Sequence, residues 1–333
     1  MNRIRVVQFG LGPIGQACVQ ALLQKPAFHL VGGIDADPQK IGKDLGEACG
    51  LKKRLGLTVR GDAEAALAEW RPHVALHTTQ SFLNQIEDQL VTLIRGGVNV
   101  VSSTEELFYP YERDPEFCQR IDALAKQYGV AVVGTGVNPG FVMDVLPLCL
   151  TGVCTEVRRI VVTRVVDAGR RRLPLQKKVG AGLTLREFRA QVASGTFGHI
   201  GLRESARAVM RTMGWPADEI KESIQPVIAK RTIKTRSYTI ASGQVAGLHQ
   251  TLRVKSSGKE RLVLDLQMYV GAKNPSDRVE IIGSPPLSVC VENGIFGDTA
   301  TVGMLVNTVP KILNAQPGLR TIVELPVPSA FAG

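Results

Sequence analysis

Two hydrophobic rhythms alternate along the first 150 residues. Short β-branched runs such as Ile4–Phe9 hold consecutive apolar residues, as suits strands buried on both faces. Between them, apolar residues recur at three- and four-residue spacing. Pro13–Leu23 is the first such stretch, and a proline at its start suits the first turn of a helix. The alternation continues with a strand over 29–34, a helix opened by Asp37-Pro38, a short strand at 57–59 and an Ala-rich helix ending near Trp70. Strand runs at Val74–His77 and 98–102 flank a helix over 83–95, and a helix from 114 to 128 leads into a strand at 130–133. Strand and helix in turn predict a doubly wound, Rossmann-type parallel sheet, an α/β fold.

Past residue 150 the texture changes. A long strand is predicted over 157–166, then helices over 185–192 and 201–213, then strands with period-two alternation such as RLVLDLQMY at 261–269. One apolar and one polar face suit an open, mostly antiparallel sheet, here part of a second α+β domain. A last helix over 299–313 is expected to pack back on the first domain, ahead of the tail ELPVPSAFAG. The predicted organisation is a dinucleotide-binding domain at 1–150, completed by 297–333, and a substrate and dimerisation domain at 151–296.

The 333 residues are enough for two cores, and 44% apolar with 21% charged residues is ordinary globular composition. No apolar run reaches the roughly 18 residues of a membrane span, and MNRIRVVQFG has no signal-peptide pattern, so a cytoplasmic protein without membrane contact is expected. Six scattered cysteines without CxxC spacing support neither a metal site nor a disulfide framework; Cys18 and Cys149 read as thiols in apolar surroundings. The net charge of +10 is dispersed, and its denser runs, Arg170 to Arg172 and Lys177-Lys178, lack the interleaved aromatics that stack on bases. Nucleic acid is therefore not an expected partner. A positive field also attracts a phosphate or an acidic substrate.

The sharpest motif is Gly10-Leu11-Gly12-Pro13-Ile14-Gly15, a GxGxxG between a strand and a helix. Gly10 permits the tight turn, Gly12 lets the backbone approach a pyrophosphate, and Gly15 allows close helix–strand packing; Pro13 and Ile14 complete the loop. Asp35 ends the second strand, about 20 residues on, where a carboxylate accepts from ribose hydroxyls and repels a 2′-phosphate. That favours NAD, while Lys40 and Lys43 just downstream can offset a phosphate and keep NADP open. Ligands of such sheets lie at the carboxyl ends of the strands, which nominates Thr78-Thr79-Gln80-Ser81 after one strand and Ser102-Ser103-Thr104-Glu105-Glu106 after the next. Each has a plainer reading: hydroxyls cap helices, and acids favour a helix start.

With these residues in view, the chain resembles the 2,4-diaminopentanoate dehydrogenases and native amine dehydrogenases of the dihydrodipicolinate reductase-like family. The likeness spans nearly the whole length and rests on VVQFGLGPIGQ, STEELFYP, TGVNPGFVMD, RVVDAGRRRLPLQKKVGAG, GHIGLRES and GDTATVGMLVNTVPKIL, with LPVPSAF at the end. It implies oxidation of an amine or diamino acid with NAD(P), release of ammonia and a carbonyl compound, and the reverse reductive amination. It also implies a homodimer and a glutamate acid/base, matching Glu105 or Glu106. Where the family more often has STCEEL this chain has SSTEEL, which keeps both acids.

Asn138 and Phe141 of the NPGF segment fit a nicotinamide or substrate pocket, or else a turn opening a helix. His199, between Ser194-Gly195-Thr196 and a helix, reads as a pocket residue or as a cap. No His pair stands in the segment 164–182, where dihydrodipicolinate reductases carry their His-rich stretch. That leaves an imine or enoate reductase, and a non-catalytic dinucleotide-binding protein, as the alternatives.

Overall fold

Consecutive apolar residues place β1 (Ile4–Phe9) in the interior of a parallel sheet, with Val6 and Val7 fully buried. The computed structural model describes residues 3–195, 197–235 and 239–330. After β1 come α1 (Pro13–Leu23), β2 (Phe28–Ile34), α2 (Leu45–Ala48), β3 (Val59–Arg60), α3 (Ala63–Trp70), β4 (Val74–His77), α4 (Glu87–Arg95), β5 (Asn99–Ser102), α5 (Pro115–Gln127) and β6 (Ala131–Gly134). Then follow α6 (Val145–Thr151), β7 (Glu156–Asp167), α7 (Leu173–Lys178), α8 (Leu185–Ala193), α9 (Leu202–Thr212), β8 (Glu219–Ile228), β9 (Ile233–Lys234), β10 (Thr239–Ile240), β11 (Val245–Ser256), β12 (Lys259–Tyr269), β13 (Ser276–Ser284) and β14 (Leu287–Glu292). The chain closes with α10 (Gly297–Ile312) and β15 (Gly318–Thr321).

The chain divides into one unit of residues 1–141 with 296–333 and another of 142–295. In the first, a seven-stranded sheet has the order β15-β6-β5-β4-β1-β2-β3, with every pairing parallel. All its strands therefore point their carboxyl ends to one edge. Val7, Ala75, Val100 and Val132 from its strands meet Leu90, Leu93 and Phe117 from α4 and α5 in the core. Asp62 caps α3 by accepting from the Ala65 amide at 3.0 Å, and Asp114 caps α5 by accepting from Phe117 at 2.9 Å. The last long helix, α10, packs on α1 and touches β4, β5 and β6.

Local structure departs from expectation at four places. Asp37-Pro38 opens no helix; the Asp37 side chain accepts from the Gln39 amide at 2.9 Å, and Gly42, at φ +83°, breaks the run after a turn. The short α2 starts later, capped by Asp44. Strand β15 falls outside every run that the periodicity predicts, because four residues carry too little pattern; pairing with β6 makes it a strand. Helix α6 packs on β7, β13 and α9 in the second unit, although it falls ahead of residue 150 for most of its length. Cys149 on α6 is exposed, whereas Cys18 is buried in α1. No helix among the described residues is long and apolar enough to cross a membrane.

The second unit is built on a six-stranded sheet, order β14-β13-β7-β12-β11-β8, in which β7 and β12 run parallel and the other neighbours antiparallel. Helix α9 covers β11 and β12 with its apolar side, including Leu202, Ala206 and Val209. Opposite each other on β7 and β13 sit Arg164 and Asp277, both buried, with guanidinium and carboxylate 3.3 Å apart. Burial pushes the Asp277 carboxyl up against the pull of Arg164, and burial pulls the Arg164 guanidinium down. Together they bracket Ile295: its amide donates to Asp277 at 2.7 Å, and its carbonyl accepts from Arg164 at 2.8 Å. The pair thus fixes the last residue of this unit before the chain leaves it. Asp277→Ala strands a buried cation, so urea denaturation should show a loss of about 3–5 kcal/mol, and an unchanged midpoint would contradict this.

Candidate active site

The turn from β1 into α1 is closed by three glycines with separate reasons. Gly10 has φ +88°, and a Cβ there would lie 2.6 Å from the Thr78 carbonyl oxygen. A Cβ on Gly15 would come within 1.9 Å of the Gly10 carbonyl oxygen. Gly12 is different: its φ of −67° and ψ of −178° suit any residue, and its Cβ would meet no protein atom within 4 Å. That opening stands over the start of α1, which has no side-chain cap and no acid in its first turn. Backbone amides and the helix dipole therefore face it, a cradle that fits the pyrophosphate of a dinucleotide. Beneath the turn the buried Gln8 carboxamide donates to the Gly10 carbonyl at 2.9 Å and to the Thr78 hydroxyl at 2.8 Å. Thr78 itself donates to the same carbonyl at 3.0 Å.

Asp35 at the end of β2 reaches back to this turn. Its Oδ2 accepts from the Leu11 amide at 2.6 Å and from Lys40 at 3.2 Å, and its Oδ1 accepts from the Asp37 amide at 2.8 Å. Lys40 also lies 3.4 Å from Asp37, so a single ammonium serves two carboxylates. Lys43 pairs with Glu47 instead, at 3.9 Å.

On the next two strands, in-register pairing sets His77 beside Ser102. The imidazole is fully buried, with Nδ1 2.9 Å from the Ser102 hydroxyl and Nε2 2.7 Å from Gln89 Oε1 and 3.0 Å from the Thr79 hydroxyl. Burial pulls its pKa down from 6.5 to about 4, against the Gln89 hydrogen bond. Neither Thr78 nor Thr79 caps a helix; the next turn, Leu83–Gln85, begins at Phe82.

The loops after β4 and β5 are stitched together. The Thr104 hydroxyl donates to the Gln80 carbonyl at 2.8 Å, and the Glu106 amide donates to the Ser81 carbonyl at 3.2 Å. Thr104 precedes a single 3-10 turn, Glu105–Phe108, that carries both candidate acids. They differ. Glu106 is buried; its Oε2 accepts from the Leu83 amide at 3.0 Å and its Oε1 pairs with Arg113 at 2.9 Å. Glu105 is half-buried. After β6, Gly140 at φ +131° packs against the Gly136 backbone, where a Cβ would stand 2.2 Å from the Gly136 nitrogen. Asn138 and Phe141 flank it, both partly buried.

The loop glycines, Asp35, Thr78, Thr79, Glu105, Glu106 and Asn138 thus follow the carboxyl ends of strands in one sheet. His199 belongs to the second unit. Its amide donates to Gln250 Oε1 at 2.8 Å and its carbonyl accepts from Gln250 Nε2 at 3.3 Å, so β11 holds it by its backbone. Of the loop before it, Thr196 lies outside the described residues. In the basic segment, Arg170 is exposed and pairs with Asp167 at 3.6 Å.

Comparison with known proteins bears on the whole chain. A family model described as "2,4-diaminopentanoate dehydrogenase C-terminal domain" matches residues 141–333, and one described as "Dihydrodipicolinate reductase, N-terminus" matches residues 4–135. A 2,4-diaminopentanoate dehydrogenase of Acetoanaerobium sticklandii is 32% identical over 100% of this chain and 96% of its own length. The chain belongs to the 2,4-diaminopentanoate dehydrogenase family. An amine dehydrogenase of Streptomyces virginiae is 26% identical, with 98% of each chain covered. The solved amine dehydrogenase of Mycobacterium smegmatis superposes with a TM-score of 0.86 at 27% identity, covering 99% of this chain and 98% of that one. Family membership makes the chain an oxidoreductase and bears out the Rossmann-type reading of the first half.

Sequence reasoning passed over Gln8, His77 and Gln89, and named Ser102 only as the first of the polar run that ends in Glu106. A signal existed: Gln8, His77 and Ser102 are polar residues at or near the ends of otherwise apolar parallel strands, where burial demands a partner.

Two outcomes follow from this geometry. Gly15→Ala should cost at least about 1–3 kcal/mol of stability through overpacking. Gly12→Ala should leave the urea midpoint in place and weaken dinucleotide binding about tenfold or more, about 1.4 kcal/mol; equal effects of the two substitutions on folding would refute the distinction. The second outcome concerns pH. The unfolded chain takes up a proton on His77 near pH 6.5, but the folded one only near 4. Stability from this group is therefore whole above about 6.5 and falls by on the order of 3 kcal/mol as the pH drops to about 4. Urea midpoints across that interval, compared with His77→Gln, measure it.

Proposed function

We propose that the chain is an NAD-dependent amine dehydrogenase. It oxidises a small amine or diamino acid of the 2,4-diaminopentanoate kind to a carbonyl compound and ammonia, and runs in reverse as reductive amination. The observation that carries this reading is a phosphate cradle at the β1–α1 turn and a pair of carboxylates on the turn after β5, both at the carboxyl edge of one sheet. A bound nicotinamide dinucleotide supplies the hydride acceptor or donor.

This chain's own residues then have separate tasks. Gly10, Gly12, Gly15 and the first turn of α1 seat the pyrophosphate, and Asp35 takes the adenosine ribose. Around Asp35, two carboxylates face one ammonium while Lys43 turns to Glu47, which leaves negative charge where NADP would carry its extra phosphate. NAD is therefore the better cofactor. Glu106 is buried and braces the turn through Leu83 and Arg113, and the more accessible Glu105 on the same turn serves as the acid/base. Glu105 takes a proton from the substrate ammonium and later one from the attacking water. Thr79, Asn138 and Phe141 shape the nicotinamide end.

The protein is read as a homodimer joined through the second sheet, whose Thr163, His249 and Asp265 lie partly exposed on the face opposite α9. Six free cysteines suit the reducing cytoplasm.

Oxidation of NADH should require both ammonia and a carbonyl acceptor, tested with short ketones and 2-amino-4-oxopentanoate, and should outpace that of NADPH. Glu105→Gln should lower kcat by about 10²–10⁴-fold with NADH binding retained. Full turnover in Glu105→Gln removes the acid/base assignment, and NADH oxidation that ignores ammonia points to a reductase instead.

A further inference from the structure

A buried histidine whose two ring nitrogens both meet polar side chains calls for an explanation beyond packing. His77 ends β4 under the Phe9 ring, with centroids 5.5 Å apart and planes tilted by 50°. An apolar side chain would fill that place without the loss of hydration that a ring with two polar nitrogens suffers. The two nitrogens point to different machinery. Nε2 serves Gln89 on α4 and Thr79 in the loop after β4. Nδ1 serves Ser102, which also accepts from the Thr104 amide at 3.1 Å and meets the Thr104 hydroxyl at 3.0 Å. Thr104 is the residue from which the Glu105–Phe108 turn starts.

Counting protons orders this chain. Gln89 Nε2 donates to the Gln85 carbonyl at 3.3 Å, which turns Gln89 Oε1 toward the ring as an acceptor. That oxygen also takes the Thr79 hydroxyl proton at 2.8 Å. A neutral His77 must therefore carry its proton on Nε2 and accept at Nδ1 from Ser102. The Thr104 hydroxyl spends its proton on Gln80. With the one Ser102 proton given to Nδ1 rather than to the Thr104 hydroxyl, the Thr104 amide is the donor that holds Ser102 to the turn.

We propose that His77 is a positioning residue: through Nε2 it sets the loop after β4 that carries Thr79, and through Nδ1, Ser102 and Thr104 it sets the turn that carries Glu105. The proposal rests on the amine dehydrogenase reading above, which assigns the nicotinamide end to Thr79 and the acid/base to Glu105.

Two substitutions separate the arms, because an Asn amide reaches the place of Nδ1 and a Gln amide that of Nε2. His77→Asn keeps the Ser102 arm, so it should raise the NADH dissociation constant about fivefold, more than it lowers kcat. His77→Gln keeps the Thr79 arm, so it should lower kcat about 10- to 100-fold and shift the pH profile of kcat, with a smaller change in NADH affinity. Both are measured beside Glu105→Gln, by NADH fluorescence titration and by ammonia-dependent turnover. The crossed pattern supports the proposal. Parallel losses in the two variants, or kinetics like the parent's with only a lowered melting temperature, overturn it while Glu105→Gln stays inactive. Full activity of Glu105→Gln instead overturns the assignment of the acid/base, and with it the Nδ1 arm.

Discussion

The closeness of Gly15 to the Gly10 carbonyl is the constraint on which the first unit depends. A hydrogen is the largest substituent that the 1.9 Å Cβ position at Gly15 tolerates, so α1 starts directly against the end of β1. From that contact follow the direction of the helix axis, the exposure of its amide-bearing end and the opening above Gly12. The buried Gln8 carboxamide and the Thr78 hydroxyl hold the Gly10 carbonyl from beneath, which ties the turn to the neighbouring strand β4. Asp35 holds the same turn from the other side through the Leu11 amide. The β1–α1 turn is thus braced by β2 and β4 at once.

At the carboxyl edge of the sheet several buried polar side chains take their partners from an adjacent strand or loop, and those partners orient them. His77 stays neutral because burial penalises its charged form more than Gln89 rewards it. Glu106 is held by an arginine and a backbone amide, so adjacent carboxylates with the same chemistry acquire different surroundings. In the second unit Arg164 and Asp277 share their burial and together secure Ile295, where the chain leaves the sheet.

Much of this was open to reading along the chain. The β1–α1 turn, the alternation of strand and helix, the acid at Asp35 and the glutamates after β5 all depend on neighbours a few residues apart. Local sequence carries such information because turn conformation, helix periodicity and strand burial are decided over short spans. Where a pattern was short or ambiguous the reading lost its footing. Asp37-Pro38 has the composition of a helix start, yet its side chain closes a turn and Gly42 ends the run. Strand β15 exists because β6 offers it an edge, a fact absent from four residues of sequence.

The sequence by itself determined the fold class, the dinucleotide loop and the two candidate acids, since each follows from spacing within one stretch of chain. Only the tertiary structure brought Arg113 and Leu83 to Glu106, because they reach it from segments that its own neighbours do not predict. It alone revealed Lys40 between two carboxylates and His77 between two loops. Their meaning comes from strands and loops brought within hydrogen-bond distance by parallel pairing, and such distances exist only once the sheet has formed.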